Sequence, residues 1–274
     1  WNKDEYDYWG YLYEFNKEFL KDDRIILIGP DIEHQPRNAI RFMKYCLDKN
    51  HVSGTINDYV EEFMNKDNIT DEELECFYEG IKKELTQNEN LYRNLLEEYY
   101  FKFKHVNDNL MNRLEVYTGN NFNGVRDVKA YENFLDISAR LPKDKYFGQL
   151  GLSHIFQKSF PQISWFGSSL NKEGSQFKNK VLSVAYAYRN CRYLYPTTRR
   201  NYESSIDTLD SSIEEFGHFI DSDYTLFKLN GEGSPFKKEL IWPLEHKRPV
   251  GGVTTDYFQY LVVAKDSKAM AGFN

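Results

Sequence analysis

Short apolar runs alternate with helical patterns along this chain, and this alternation constrains its fold more than any other feature. The first run, residues 24–29, is continuously apolar after Arg24 and closes on Gly-Pro, which is typical of a buried parallel strand. Further strands are predicted at Lys145–Gln149, Val181–Tyr188, Thr225–Leu229 and Phe258–Ala264. Strands separated by helices favour an α/β fold with a mostly parallel central sheet flanked by helices.

Helical periodicity fills the segments between these runs. Residues 4–21 carry aromatic side chains at helical spacing, and Pro36 opens a helix that reaches about Asp48. Another helix is predicted over residues 125–140, and a short one at Ser211–Phe219. We interpret the whole chain, residues 1–274, as a single α/β domain.

Residues 56–118 are charged and helical and contain no strand signal. Thr70 begins one of these helices, because its hydroxyl can cap the first turn and Glu73 follows three residues later. The segment is interpreted as a helical insertion that caps a site. A solvated helical hairpin is the alternative.

Charge and composition limit the classes of partner. The net charge is −7, and the acidic excess disfavours nucleic acid and anionic membranes as main partners. No apolar run reaches the roughly 18 residues that a membrane helix needs. A small-molecule substrate is expected, while the sequence indicates neither the compartment nor the oligomeric state. Because the chain starts with Trp1, we expect a processed or trimmed piece whose targeting region lies upstream.

The predicted helix over residues 125–140 carries an unusual polar set. Arg126, Glu132 and Asn133 place a guanidinium, a carboxylate and a carboxamide on one element, and the next predicted strand leads to His154. A histidine beside a carboxylate and an arginine is suited to acid–base chemistry near neutral pH. The alternatives are a solvated helix face with a surface ion pair and a packed histidine.

A second polar group follows the first predicted strand. Asp31, Glu33 and His34 come directly after it, and ligands bind beyond the carboxyl ends of strands in open α/β sheets. We therefore predict that these side chains contact a substrate. Their spacing could also suit a metal ion, but it is common by chance, and no metal is predicted from it.

Several of these segments resemble the erythromycin esterase-like family, which is related to the Tiki and ChaN-like proteins. Arg126–Asn133 resembles the family's Arg-Glu-x-x-Met-Ala-Glu-Asn helix, and Gly151–His154 resembles its His-Asn-x-His turn. Three further segments are similar to the family in the same order: Tyr13–Asn16 with Gly29–Asp31, Trp165–Leu170, and Asp256–Ala269.

The resemblance implies a hydrolase in which a histidine activates water to attack an ester or lactone carbonyl, without a cofactor. Arg126 would stabilise the oxyanion, and Glu132 would orient a histidine or the water. His154 would act as acid or base, and Asn133 would support Glu132 or the backbone.

The chain also departs from the family. The leading Gly-Glu-x-x-His-Gly motif, which supplies a glutamate and the proposed general-base histidine, would lie before Trp1. Activity is therefore expected of a longer parent protein and not of this piece alone. Gly151, Asp127 and Tyr131 also differ from the residues of the family, so specificity for macrolides is not expected to carry over.

Two other functions stay open. One is a metal-dependent hydrolase of the Tiki type, in which a divalent ion would be bound by Glu33, His34, Glu132 and His154. The other is a non-catalytic module that binds a large acyl or glycan-like ligand on its aromatic residues.

Overall fold

The computed structural model describes residues 2–20, 23–141, 145–195, 202–210 and 217–272. The α-helices are α1 Lys3–Lys17, α2 Pro36–Lys49, α3 Thr55–Met64, α4 Asp71–Gln87, α5 Glu89–Leu96, α6 Tyr100–Thr118, α7 Phe122–Ser138 and α8 Phe166–Asn171. The strands are β1 Val184–Arg189, β2 Cys191–Tyr195, β3 Tyr202–Ile206, β4 Tyr224–Lys228 and β5 Tyr260–Lys265. The chain is a mixed α/β protein that folds into two compact units, residues 29–145 and residues 1–28 with 146–274.

The unit of residues 29–145 is helical and contains α2 to α7. Its core is built from the apolar stripes of these helices, with Met43, Phe77, Phe103 and Leu110 all fully buried. Such stripes recur at helical spacing, so packing them together removes a continuous apolar surface from water. The helicity predicted for residues 56–118 is confirmed, and the proposal that this segment caps a site stays a prediction.

The start of α4 shows how local sequence sets a helix boundary. The Glu73 backbone N–H donates to the Thr70 hydroxyl over 3.2 Å, and the Thr70 N–H donates to the Glu73 carboxylate over 3.0 Å. This reciprocal pair satisfies two backbone donors that the first turn leaves without intrahelical partners. The predicted capping box is therefore present.

The other unit contains a sheet with the strand order β1–β5–β4. β1 runs parallel to β5, with Ala185 opposite Leu261, whereas β4 runs antiparallel to β5. Leu261 and Val263 are fully buried, while Tyr186 of β1 is 53% exposed. One face of the sheet therefore packs on a core that includes Phe156, Phe160, Trp165, Trp242 and Phe258. A second sheet pairs β2 with β3 in antiparallel register.

The predicted mostly parallel central sheet is not confirmed. Residues 24–29 and 145–149 form no strand, and most of their apolar side chains are exposed, with Leu27 at 60% and Phe147 at 94%. A continuous apolar run becomes a central strand only when neighbouring strands satisfy its backbone groups on both sides. In the described part of the chain these two runs have no such neighbours. The strand at one edge of the sheet is instead β4, which is antiparallel to β5.

The other predicted elements lie close to the observed ones. Helices α1, α2 and α7 and strands β1, β4 and β5 are present with boundaries shifted by a few residues. No residue of α1 is buried, and its aromatic side chains are exposed or half-buried. Most of the helix predicted at Ser211–Phe219 lies outside the described residues. None of the described helices has the length and apolar character needed to cross a membrane.

Candidate functional site

Two of the predicted site residues, Asp31 and Arg126, are joined by hydrogen bonds. Asn121 begins α7, because its side chain accepts a hydrogen bond of 3.1 Å from the Gly124 N–H, and Arg126 follows in the second turn. The Arg126 Nε donates to Asp31 Oδ1 over 2.9 Å, and Nη2 donates to Asp31 Oδ2. The planar guanidinium fork matches the two carboxylate oxygens, which fixes the orientation of both side chains.

The pair lowers the pKa of Asp31. Burial favours the neutral acid, but the hydrogen bonds and charge of Arg126 outweigh it and hold the pKa of Asp31 below its ordinary value of 3.8. The Ile32 backbone N–H adds a hydrogen bond of 2.8 Å to the same carboxylate. Asp31 is therefore ionised at neutral pH, and the same hydrogen bonds raise the pKa of Arg126.

His34 lies against this pair. Its Nε2 is 3.6 Å from Asp31 Oδ2, and its Nδ1 is 2.9 Å from the Tyr117 hydroxyl. His34 thus lies between the Asp31 carboxylate on its Nε2 side and the Tyr117 hydroxyl on its Nδ1 side. Phe122 stacks near the imidazole at 6.5 Å between ring centroids. The arrangement is open to solvent, since the His34 side chain is 39% exposed.

A carboxamide network holds the backbone that carries Asp31. Asn133, which is 5% exposed, donates from Nδ2 to the Pro30 carbonyl over 3.0 Å and to Asn109 Oδ1 over 2.9 Å. Asn109 in turn donates to the Asp31 carbonyl over 3.0 Å. Asn133 therefore supports the site through the backbone of Pro30 and Asp31.

The two predicted glutamates take different positions. The Glu132 carboxylate is exposed and lies 3.6 Å from Lys129 Nζ, which also pairs with Glu115 at 2.8 Å. Glu33 accepts a hydrogen bond of 2.7 Å from the Gln35 N–H just before α2. Neither carboxylate contacts the Asp31–Arg126 pair in the described structure.

His154 belongs to the other unit. It lies in a short 3₁₀ helix, Leu152–Ile155, and not at the end of a strand as predicted, because residues 145–150 form no strand. Its imidazole meets the Trp165 ring edge-on, with the centroids 5.4 Å apart. The convergence of His154 with Arg126 stays a prediction.

Three contributors to the site, Asn109, Asn112 and Tyr117, were not predicted from the sequence. Asn109 and Asn112 are three residues apart on α6 and so share one face, and Asn112 donates to Asn133 Oδ1 over 3.3 Å. Two carboxamides three residues apart on one helix face are a signal that could have indicated the network. No comparable signal marks Tyr117. Within the described residues, no three His, Cys, Asp or Glu side chains are grouped so as to hold a metal ion.

The sequence matches no protein-family model and no curated protein. Solved structures share its fold at low sequence identity. A Bacillus cereus protein is similar over 100% of this chain and 74% of its own, with a TM-score of 0.70 and 14% identity. A succinoglycan biosynthesis protein covers 100% of this chain and 72% of its own, with a TM-score of 0.66 and 10% identity.

A mutant erythromycin esterase in its open conformation is similar over 96% of this chain and 72% of its own, with a TM-score of 0.58 and 12% identity. The TM-scores establish a shared fold. Because the sequence identities are low, the chemistry has to be argued from the site itself. The resemblance stated from the sequence is thus supported as a distant relationship of fold to an erythromycin esterase.

Proposed function

We propose that this chain belongs to a hydrolase of carboxylic esters or lactones in which a histidine activates water. The observation that carries the proposal is the bidentate hydrogen bonding of Arg126 to Asp31, two side chains that are partly exposed to solvent. The distant fold relationship to an erythromycin esterase supports the same class of reaction.

Arg126 is proposed to stabilise the oxyanion. Its Nε and Nη2 are engaged by Asp31, whereas Nη1 makes no hydrogen bond to any residue that the structure describes. The guanidinium is therefore held in one orientation while one nitrogen can still donate to a developing negative charge. A preorganised donor lowers the barrier, because it need not reorient as the charge forms.

The remaining roles follow the resemblance. His154 is proposed to transfer the proton, and Glu132 to orient the histidine or the water, which requires its contact with Lys129 to be exchanged. Asp31, Glu33 and His34 are proposed to contact the substrate, with the Tyr117 hydroxyl beside them. Asn133 supports this group through Pro30.

The test is hydrolysis of p-nitrophenyl acetate and of a simple lactone by the full-length protein. Replacing Arg126 by Ala should lower kcat/KM by about 100-fold or more, the usual cost of removing an oxyanion donor. Arg126→Lys should recover part of the rate, since it keeps the charge and loses the fork. Arg140→Ala is the matched control, because Arg140 is exposed just beyond α7 and pairs with Asp136. Equal turnover in all three variants would reject the proposal.

The histidine and glutamate roles need a separate experiment. His154→Ala and Glu132→Gln should each reduce turnover, and unchanged turnover in both would reject these roles. The proposed reaction uses water and side chains only, so a chelator should leave the rate unchanged. Loss of activity with a chelator and its recovery with a divalent ion would favour the metal-dependent alternative instead.

A further inference from the structure

A serine and a histidine from distant segments meet in the unit that contains the sheet. The Oγ atom of Ser153 lies 3.0 Å from Nε2 of His246, and the two residues are 93 positions apart in the chain. A hydroxyl within hydrogen-bond distance of an imidazole nitrogen is the arrangement by which a general base activates a serine nucleophile. Neither residue has a role in the hydrolase site proposed above.

Ser153 is held by its own backbone. It lies in the 3₁₀ helix Leu152–Ile155, where the Phe156 N–H donates to the Ser153 carbonyl over 3.2 Å. Phe156 is fully buried and packs edge-on against Trp242, with ring centroids 5.6 Å apart. The backbone of Ser153 is therefore anchored to the core through Phe156, whose side chain is held by packing.

His246 is held from the opposite side. Trp242, which is 4% exposed, donates from Nε1 to the His246 carbonyl over 3.2 Å. The preceding residue, Glu245, donates its N–H to the Thr208 carbonyl over 2.8 Å. The imidazole also lies 6.0 Å from the Phe156 ring, between centroids. Phe156 and Trp242, both buried in the core, thus position Ser153 and His246 relative to each other.

The protonation state of His246 suits a base. Partial burial of the imidazole lowers the pKa of His246 below its ordinary value of 6.5, which favours the neutral base at pH 7. With the proton on Nδ1, Nε2 accepts the hydrogen bond that the Ser153 hydroxyl donates. In the described residues Nδ1 has no hydrogen-bond partner, so this pair lacks the carboxylate of a complete triad.

We propose that Ser153 is a nucleophile, activated by His246, that accepts an acyl group from an activated carboxylic ester such as an aryl ester. Ser153 Oγ forms a bond to the carbonyl carbon as its proton passes to His246 Nε2. The bond from that carbon to the leaving oxygen then breaks, and the leaving oxygen takes up the proton. The acyl group ends on the serine, and no oxidant, reductant or metal is needed to balance the step.

A fluorophosphonate tests the proposal directly, because its adduct with serine is stable. The Ser153 oxygen displaces fluoride from phosphorus, and the mass of the intact protein rises by one phosphonyl group. Peptide mapping of the wild-type protein should locate the adduct on Ser153. The native protein should react faster than the same protein denatured in urea.

The variants isolate the base. His246→Gln keeps a polar side chain but cannot take the proton, and it should slow labelling by about 100-fold, within the range that general bases contribute. Ser159→Ala is the matched control, since Ser159 lies in the same unit and, among the described residues, its Oγ contacts the hydroxyls of Ser164 and Ser168 and no histidine; labelling should be unchanged. The adduct is measured by mass, so the outcome does not depend on whether ester turnover is found.

Three results would overturn the proposal: an adduct on another residue, equal rates for native and denatured protein, or an unchanged rate in His246→Gln. The first two use the wild-type protein, so they remain informative if a variant fails to fold.

Discussion

The carboxylate of Asp31 and the guanidinium of Arg126 form a bidentate pair across 95 positions of the sequence. The pair joins the segment before α2 to the beginning of α7, two elements with different local sequence signals. Because the Arg126 side chain is only 26% exposed and Asp31 is 41% exposed, solvent screens the pair in part. The effect of the Asp31–Arg126 pair on stability and its role in catalysis can be tested in separate experiments.

The stability of the protein should depend on the ionisation of Asp31. Its pKa is lower in the folded state than in the unfolded chain, so the folded protein binds fewer protons there. The stabilisation is therefore present above the unfolded pKa near 3.8 and is lost as the pH falls through the lower folded value. Discounted for solvent exposure, we expect about 1 kcal/mol, measured as the difference in free energy of unfolding between wild type and Asp31→Asn.

The difference between wild type and Asp31→Asn should be largest near pH 7 and should shrink below pH 4. Asp221→Asn is the control, since Asp221 is exposed and has no hydrogen-bond or ion-pair partner among the described residues. A difference that stays constant from pH 7 down to pH 3 would contradict the explanation.

Replacing Asn133 should destabilise the helical unit. Asn133→Ala leaves the Pro30 carbonyl and Asn109 Oδ1 without the Asn133 donor in a poorly hydrated region. The free energy of unfolding should fall by about 1–3 kcal/mol, the cost of leaving a buried polar group unsatisfied. Urea denaturation measures it. The exposed loop residue Asn68 gives the control, and Asn68→Ala should change stability by less than about 0.5 kcal/mol. Equal effects of the two substitutions would argue against the network.

The close approach of Gly167 to the Leu152–Ile155 helix should not tolerate a side chain. A Cβ atom at Gly167 would lie 2.6 Å from the Ile155 carbonyl oxygen, a backbone atom that cannot move aside alone. Gly167→Ala should lower the free energy of unfolding by about 1–3 kcal/mol, as overpacking does. Thermal unfolding measures the loss.

Gly10 provides the matched glycine control. A Cβ atom there would meet no atom within 4 Å, and the residue lies inside α1. Gly10→Ala should stabilise α1 by about 0.5–1 kcal/mol, because alanine loses less backbone entropy in a helix. Amide hydrogen exchange in α1 should slow. If Gly167→Ala destabilised the protein no more than Gly10→Ala, the explanation by close packing against Ile155 would be contradicted.

The cap of α4 should contribute measurably to stability. Thr70→Ala removes the acceptor for the Glu73 N–H and should cost about 1 kcal/mol in urea denaturation. Thr70→Ser keeps the hydroxyl and should stay within a few tenths of a kcal/mol of wild type. A loss of the same size in both variants would show that the methyl group, and not the hydrogen bond, is responsible.

The helices were the most predictable part of the fold. Pro36 at the start of α2 and the Thr70–Glu73 pair at α4 are local signals, and a helix satisfies its backbone hydrogen bonds within its own segment. The strand predictions were less reliable for the opposite reason. Residues 24–29 have the composition of a buried strand, yet Ile26 is 54% exposed, because a strand needs a partner that its own residues do not specify.

The candidate site shows the same division. The sequence indicated Asp31, His34, Arg126 and Asn133 as polar residues in functional positions, and the structure groups them in the helical unit. It did not indicate Tyr117, whose hydroxyl approaches His34 only because α6 and the segment before α2 pack together. The contact between Ser153 and His246 was also not predicted, because sequence spacing carries no information about a pair brought together by core packing.

The sequence by itself determined the helical segments, the cap of α4 and the residue types available for chemistry, because these depend on neighbours within a few positions. Tertiary structure decided the direction of β4, the exposure of the apolar run before Asp31, and the contacts of Asp31 with Arg126 and of Ser153 with His246. Each of those depends on which distant surfaces pack against one another. The burial of apolar surface drives that packing, but the sequence pattern does not specify which surfaces will be partners.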